Sequence, residues 1–142
     1  MVTTKPTLQA LLICERSIIE DDGAATIIRV VDTFSFVVVA PQPLQESVAF
    51  PLQCEVFTRW GPGKGEFMEE LRLVLPGGRE LLPKEKVPMT LPGGFRFQQI
   101  RHAVQWNVSE PGTYAFRVYL DGEFVREHPF RVDITFAQPG PS

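Results

Sequence analysis

Four side chains in the sequence are of the types used in nucleophilic or acid–base catalysis: the cysteines Cys14 and Cys54 and the histidines His102 and His128. Such catalysis needs a nucleophile, a base and an orienting group held together. The spacing of the four residues indicates no such arrangement, and a single histidine on a strand is more often structural. We therefore expect no catalytic residue and no enzyme activity, and a histidine base is the least favoured alternative.

An acidic turn, Glu20-Asp21-Asp22-Gly23, offers the hard oxygen ligands that calcium prefers. Asp-Gly also favours a tight hairpin turn, so we favour a supporting role for these carboxylates and leave calcium open. The sequence contains no paired Cys or His spacing of the kind that holds zinc. The run Gly61-Pro62-Gly63-Lys64-Gly65 lacks the order of a phosphate-binding loop and predicts a flexible hairpin loop. We expect no metal and no cofactor.

Composition favours one globular domain. The 142 residues are 44% hydrophobic and 22% charged, which predicts a single domain over residues 1–136 and a disordered tail over 137–142. The net charge is −3, and Lys and Arg are scattered singly among Asp and Glu, so we expect no nucleic-acid partner.

The apolar run Ala10–Cys14 is too short for a membrane span and has no signal-peptide flanks. We expect no membrane association and a cytoplasmic location, in which Cys14 and Cys54 are buried thiols; a disulfide between them stays open for an exported chain.

Short segments separated by 13 prolines and 11 glycines, without a helical period, are typical of an all-β sandwich or barrel. We predict a first strand over Leu8–Ile19 and a second from Ala25 to Phe36, joined by the Asp-Gly turn. A third strand near Val48–Trp60 alternates well, and a fourth follows the glycine loop. The residues predicted to face inward on these two strands are Leu52, Cys54, Val56, Leu71, Leu73 and Leu75, with Glu70 and Arg72 outward.

Two stretches have no clear place in a sheet, and their strand order stays open. Val37–Ser47 contains two prolines and predicts a crossing between sheets or an irregular edge. Pro83–Gly94 contains three more and predicts the long connection that a Greek key requires, after a short strand near Glu80–Leu82.

The last third of the chain has the clearest alternation. His102 shares the parity of an apolar row that includes Trp106, and Pro129 predicts a bulge and an edge strand. After the turn Glu110-Pro111-Gly112, the residues predicted to face inward are Tyr114, Phe116, Val118 and Leu120. Altogether we predict seven to eight antiparallel strands with Greek-key connections.

Two motifs carry a resemblance to a known family. The run EPGTYAFRVYLDGEFV (Glu110–Val125) resembles the hairpin of penultimate and last strands in bacterial immunoglobulin-like domains, with Tyr114 placed as in a tyrosine corner. With the opening LLICERSIIEDDGAATIIRVVDTF (Leu11–Phe34), it is similar to a family of small bacterial proteins known only as a domain of unknown function. Members of that family often read L-x-G-I-F-D, and Arg29 stands here at the glycine position. The resemblance implies an immunoglobulin-like sandwich and no activity.

Five aromatic residues fall outside the predicted core: Phe57 and Tyr119 on outer faces, and Trp60, Phe67 and Phe95 beside glycine-rich loops. Clustered exposed aromatics mark a surface that meets a partner. With the proline-marked edges, they favour a non-enzymatic interaction module that binds another protein or a second copy of itself. The alternative is a small-ligand or carbohydrate-binding module that uses Trp60 and Phe95.

Overall fold

The computed structural model describes residues 3–39, 49–81 and 85–137, and all regular structure in these ranges is β-strand. The predicted all-β class is therefore confirmed. The described part of the chain holds no helix with the length and apolarity needed to cross a bilayer. The strands are β1 (Leu8–Ile19), β2 (Ala25–Val30), β3 (Thr33–Val39), β4 (Phe50–Trp60), β5 (Lys64–Val74), β6 (Glu80–Leu81), β7 (Val87–Pro92), β8 (Gln98–Val108), β9 (Gly112–Leu120) and β10 (Glu123–Ala137).

The strands form two sheets that do not close into a barrel. One sheet has the order β2-β1-β4-β8, and the other has the order β3-β10-β9-β5-β6, with β7 also paired to β5. Only the β3–β10 pair is parallel among the described strands. The inward rows of both sheets build one core. Fully buried members of this core include Ile13, Val56, Trp60, Leu71, Phe116, Val118 and Phe130.

The β1–β2 hairpin folds back over the outer face of its own sheet. Pairing between β1 and β4 ends at Cys14 opposite Glu55, while β1 and β2 stay paired to the hairpin tip. Arg101 Nη1 on β8 then donates to the carbonyl of Ser17 at 2.9 Å, and Gln99 Nε2 donates to the carbonyl of Gly23 at 2.7 Å. The outer face of β4 and β8 is therefore partly covered, which alternation alone does not predict.

The predicted second strand is wrong in extent, because the chain changes sheets within it. β2 ends at Val30 and pairs with β1, whereas β3 begins at Thr33 and pairs with β10 in the other sheet. Just before the break, Arg29 has a φ of +55°, a left-handed conformation that is unfavourable for a residue with a Cβ. The apolar run through this region supports a strand in either sheet, so its pattern does not mark the crossing.

The predicted connection over Pro83–Gly94 is also wrong, because it contains β7, which pairs with β5 from Lys64 opposite Pro92 to Glu69 opposite Val87. β7 pairs with β5 alone among the described strands, so prolines that lack an N–H are tolerated in it. Of the predicted irregular stretch Val37–Ser47, residues 37–39 belong to β3 and the rest lies outside the described residues. The predicted disordered tail lies outside them from residue 138 onward.

The bulge predicted near Pro129 lies four residues earlier, where the β9–β10 register shifts between Phe124 and Arg126. β10 is not an edge strand, since it runs between β3 and β9. Pro129 is opposite Ala115 of β9, and the pairing with β3 starts only at Arg131. A missing N–H at Pro129 therefore costs no hydrogen bond to β3.

The strained backbone of Arg29 gives a first prediction. Glycine adopts a positive φ without the penalty of about 1–2 kcal/mol that other residues meet, although it also loses more entropy on folding. We expect Arg29→Gly to leave the free energy of unfolding unchanged or to raise it by up to about 1 kcal/mol, as measured by urea unfolding. Arg16→Gly, in the same hairpin at an ordinary φ, serves as the control and should be destabilised. Equal losses in the two variants would contradict this account of Arg29.

Candidate functional site

A buried carboxylate joins the two sheets. Glu69 lies on the inward face of β5 and is fully buried. Its Oε2 accepts hydrogen bonds from the Thr58 hydroxyl at 2.7 Å and from the indole N–H of Trp60, and its Oε1 is bonded to Nε2 of His102. The three donors come from β4 and β8, in the opposite sheet, and all are buried. We call these four side chains the Glu69 network.

The inward position of His102 is confirmed, whereas Glu69, which joins the sheets, is a residue that the sequence analysis does not identify. His102 lies opposite Val56 and is 3% exposed. Glu69 shares the parity of Leu71 and Leu73, so a charge inside an apolar row is the available sequence signal. A buried carboxylate is strongly unfavourable unless donors surround it, but the sequence does not indicate which donors those are.

The histidines do not form a reactive site with the cysteines. His102 lies at the floor of a cleft of about 500 Å³ between β7 and β8, with its Nε2 engaged by Glu69. His128 lies on β10, where burial lowers the pKa of its imidazole. Within the described residues, neither histidine hydrogen-bonds to a cysteine. His102 does meet a carboxylate, but both groups are buried in the core, and the absence of enzyme activity stays a prediction.

Cys14 and Cys54 are free thiols, and both are buried. Cys54 lies in the core between the sheets, whereas Cys14 pairs with the outward residue Glu55. Burial raises the pKa of Cys14 and raises that of Cys54 to about 12. Both thiols are therefore protonated at neutral pH and are poor nucleophiles.

The acidic turn uses its carboxylates locally. Asp22 Oδ1 accepts the backbone N–H of Ala24 at 3.0 Å, and Glu20 accepts the hydroxyl of Thr26 at 3.0 Å. These contacts support the favoured role in the hairpin turn. No group of three or more potential metal ligands occurs in the part of the chain that the structure describes.

Three of the five aromatic residues predicted to be exposed are buried, so that expectation is corrected. Phe57 is on the outer face, as predicted, but it is 3% exposed because the folded-back β1–β2 hairpin covers this face. Trp60 and Phe67 face the core, and Trp60 is held there by its bond to Glu69. An interaction surface built on these five residues thus keeps only Phe95 and Tyr119.

Tyr119 is half-buried in a charged array on the outer face of the second sheet. The Arg72 guanidinium lies 4.1 Å from the ring centroid, and the hydroxyl donates to Glu80 at 3.1 Å. Glu80 also accepts from Arg72 at 3.1 Å and from Arg117 at 2.8 Å. The hydrogen bond from Arg117 is the main cause of a lowered pKa at Glu80. Tyr119 already has its partners within the protein.

Phe95 is the most exposed large apolar side chain among the described residues, at 84%. It lies in residues 93–97, which we call the Phe95 loop. The loop turns through Gly93 and Gly94, both at positive φ, and the N–H of Arg96 donates to the carbonyl of Gly94 at 3.0 Å. The ring makes a T-shaped contact with Phe97, with centroids 4.8 Å apart, and the Arg59 guanidinium lies 4.4 Å from the centroid of the Phe97 ring.

The Phe95 loop rests on the strand end that carries Trp60. Trp60 pairs with Gln98, and Gly61 follows it with a positive φ. A Cβ on Gly61 would lie 2.5 Å from the carbonyl oxygen of Arg96 and 2.7 Å from the ring of Phe97, so only glycine fits there. The Glu69 network is therefore one residue away from the packing at the base of the loop, through Trp60. Residues 61–65, which the sequence predicts to be a flexible loop, are closely packed in the structure.

Several cationic side chains gather around this loop. Segments 3–9, 56–65 and 87–101 meet here through the bridge of Thr4 with Lys64 and the bond from Gly61 N–H to the carbonyl of Thr7. They contain Lys5, Arg59, Lys64, Arg96 and Arg101 and no Asp or Glu. Within the described residues, Lys64 and Arg96 are exposed and form no ion pair.

The fold and this site define a two-sheet β-protein with a buried polar anchor and one exposed aromatic loop. The chain belongs to a family of unknown function, DUF6941, whose model matches residues 9–133. A comparison with curated proteins finds no match. Among solved structures, the chain is similar to a Pseudomonas fluorescens alkylpurine DNA glycosylase, AlkC, bound to DNA containing an abasic site analog. The TM-score is 0.48 at 10% identity; the match covers 91% of this chain and only 30% of the glycosylase chain.

With a TM-score below 0.5, this similarity carries nothing about activity or ligand over to this chain. Two predictions are nevertheless corrected by the structure. The protein-interaction module relied on five exposed aromatic residues, three of which are buried. The exclusion of nucleic acid relied on scattered charges, whereas the exposed Lys64 and Arg96 both lie by the Phe95 loop. The alternative of a small-ligand or carbohydrate site on Trp60 and Phe95 also fails, because Trp60 is fully buried.

The Glu69 network predicts a strong effect on stability. Glu69→Ala leaves three buried donors without an acceptor, so we expect a loss of about 3–5 kcal/mol in the free energy of unfolding. In a double-mutant cycle, Glu69→Leu/His102→Leu should lose less free energy of unfolding than Glu69→Leu and His102→Leu lose in sum. The reason is that the double variant removes both partners of the hydrogen bond together. Urea unfolding of the four proteins measures this cycle.

Glu66→Gln, on an exposed position of the same strand, is the matched control and should change stability by less than about 0.5 kcal/mol. A Glu69→Ala variant within about 1 kcal/mol of the unmodified protein, or single-variant losses that simply add, would contradict a coupled network.

The lowered pKa of Glu80 predicts a pH dependence. The folded state stabilises the ionised form of Glu80. The contribution of Glu80 to the free energy of unfolding is therefore fully present above its ordinary pKa of 4.5 and is lost as the pH falls through its lower pKa in the folded protein. Glu80→Gln should cost about 1 kcal/mol at pH 7 and progressively less towards pH 3. Urea unfolding at several pH values checks this, with Glu85→Gln as the surface control. A cost that is independent of pH would rule out the ionised carboxylate as its origin.

Proposed function

We propose that this protein is a nucleic-acid-binding module that contacts its ligand through the Phe95 loop. The observation that carries the proposal is an 84% exposed phenylalanine beside two exposed cations, Lys64 and Arg96, without ion pairs in the described residues. Nucleic acids present both complementary groups, a flat apolar base and a phosphate.

The Phe95 ring is suited to stacking. Its neighbour Phe97 makes a T-shaped contact with it, at an interplanar angle of 88°, and because Phe95 is 84% exposed, at least one face of the ring is open to solvent. An aromatic side chain that stacks on a base contributes about 1–3 kcal/mol to binding, whichever base it meets. An exposed phenylalanine is otherwise unfavourable in water, so a ligand that covers it gains from burial.

Lys64 and Arg96 supply the electrostatic component. The side chain of Lys64 runs along Gly93, where a Cβ would lie 3.3 Å from Lys64 Cδ, so the ammonium extends beside the Phe95 loop. Charge is screened over about 8 Å at physiological ionic strength, so a local cluster of cations can act in a chain whose net charge is −3.

The loop is supported by contacts within the protein. The close contact at Gly61, the Arg96-to-Gly94 turn and the Arg59–Phe97 stack fix its backbone. Pre-organisation lowers the entropic cost of binding, which supports a small contact area as a binding site.

We further propose that the single domain is an immunoglobulin-like, cytoplasmic protein that binds rather than catalyses. The Tyr114 hydroxyl donates to the carbonyl of Glu110 at 2.6 Å, the contact expected of a tyrosine corner. The free thiols of Cys14 and Cys54 support a reducing compartment. The burial of His102 in the Glu69 network supports a binding role.

Phe95→Ala should weaken the binding of a dye-labelled 12-nucleotide oligonucleotide by about 5- to 150-fold, the equivalent of one stacked base. Fluorescence anisotropy at several salt concentrations gives the Kd. Lys64→Ala and Arg96→Ala should each reduce the salt dependence of log Kd by about 0.7, the value of one phosphate contact on a single strand.

Phe124→Ala is the matched control, because Phe124 is also exposed (56%) and also lies near an arginine, Arg117 at 6.0 Å. It should bind like the unmodified protein. Equal weakening by the Phe95 and Phe124 variants, or no binding by the folded unmodified protein, would refute the proposal.

A further inference from the structure

We infer that the ligand of the Phe95 loop is a single strand with unpaired bases, DNA or RNA, rather than a duplex. The inference rests on the proposed function and names its substrate class. It follows from the exposure of the ring, the carboxylates that lie near the loop and the number of available cations.

The Phe95 ring needs a free base face. In a duplex the faces of each base are already stacked on their neighbours, and inserting a side chain requires unstacking that costs energy. A single Phe95 ring supported only by Phe97 has no second wedge beside it in the described residues to offset that cost. An unpaired base meets the ring without this penalty.

The exposed cations of the loop, Lys64 and Arg96, which we call the cationic strip, have carboxylates on both sides. On one side, Gln99 Nε2 bonds to the carbonyl of Gly23, which places the acidic turn of Glu20–Asp22 beside the start of β8. On the other side, exposed Glu66 follows Gly65 on β5. A duplex has two phosphate backbones, and one of the two would approach these carboxylates. A single strand has one backbone, which can follow the strip alone.

The available cations also match a short contact. Lys5 pairs with Glu123 at 3.0 Å, Arg59 is bonded to Gln9 at 3.0 Å, and Arg101 is bonded to Ser17. Lys64 and Arg96 remain for phosphates. A hollow of about 200 Å³ lies next to the loop and is lined by Thr4, Pro62, Gly63, Lys64, Gly93 and Gly94. Its small size suits one phosphate with Lys64 as its counter-ion.

The test compares one 12-nucleotide sequence as a single strand, as a duplex, and as a duplex with one unpaired central base, each made in DNA and in RNA. We expect the single strand to bind at least about tenfold more tightly than the duplex, with the unpaired base restoring part of the difference. The Phe95→Ala variant should bind the single strand no more tightly than the duplex, whereas the Phe95→Trp variant should still prefer the single strand. Thermal unfolding of each variant confirms that it is folded.

The outcomes separate the two proposals. Equal affinity for single strand and duplex, or a preference that Phe95→Ala leaves intact, overturns the inference and leaves nucleic-acid binding standing. No binding of any oligonucleotide by the unmodified protein overturns the proposed function and the inference with it. If the single strand is preferred and single-stranded DNA and RNA bind with different affinities, the inference is supported. The tighter of the two then identifies the type of nucleic acid.

Discussion

The structure depends on the burial of one carboxylate. Glu69 stands in the apolar row of β5 and is retained there because Thr58, Trp60 and His102 donate to it from the opposite sheet. Removing a charge from water costs several kcal/mol, and only a complete set of donors in good geometry offsets that cost. The two sheets must therefore meet in one register at this point, since a shift of β5 by one residue would turn the carboxylate to the other face.

The position of the exposed loop follows from this constraint. Trp60, tied to Glu69, ends β4, and the next residue, Gly61, is packed against the backbone of Arg96 and the ring of Phe97. Phe95 is thus held at the surface by contacts that lead back to the core. The cations beside it come from segments that the same packing brings together, although they are far apart in the sequence. A buried network that contributes no ligand contact of its own can in this way determine where a ligand is bound.

Alternation along single strands predicts much of the fold. The bounds of β1 and the inward position of His102 are confirmed, because each depends only on local pattern and parity. Alternation does not predict the crossing from β2 to β3, because strands in either sheet are equally apolar there. Alternation also predicts the correct face for Phe57, but the burial of this side chain depends on the β1–β2 hairpin, which folds back from the other edge of the sheet. The partners of Glu69, the packing of Gly61 and the cations around Phe95 are contacts between distant segments, which no spacing in the sequence encodes.

An amide chemical-shift titration of the ¹⁵N-labelled protein with a 12-nucleotide single strand tests most directly whether the Phe95 loop is the surface that contacts nucleic acid. If it is, we expect saturable shifts concentrated in residues 61–65 and 93–99, with the amides around Tyr119 and Phe124 unchanged. Shifts centred on the Tyr119 face, or a titration that moves no amide of the Phe95 loop, would contradict it.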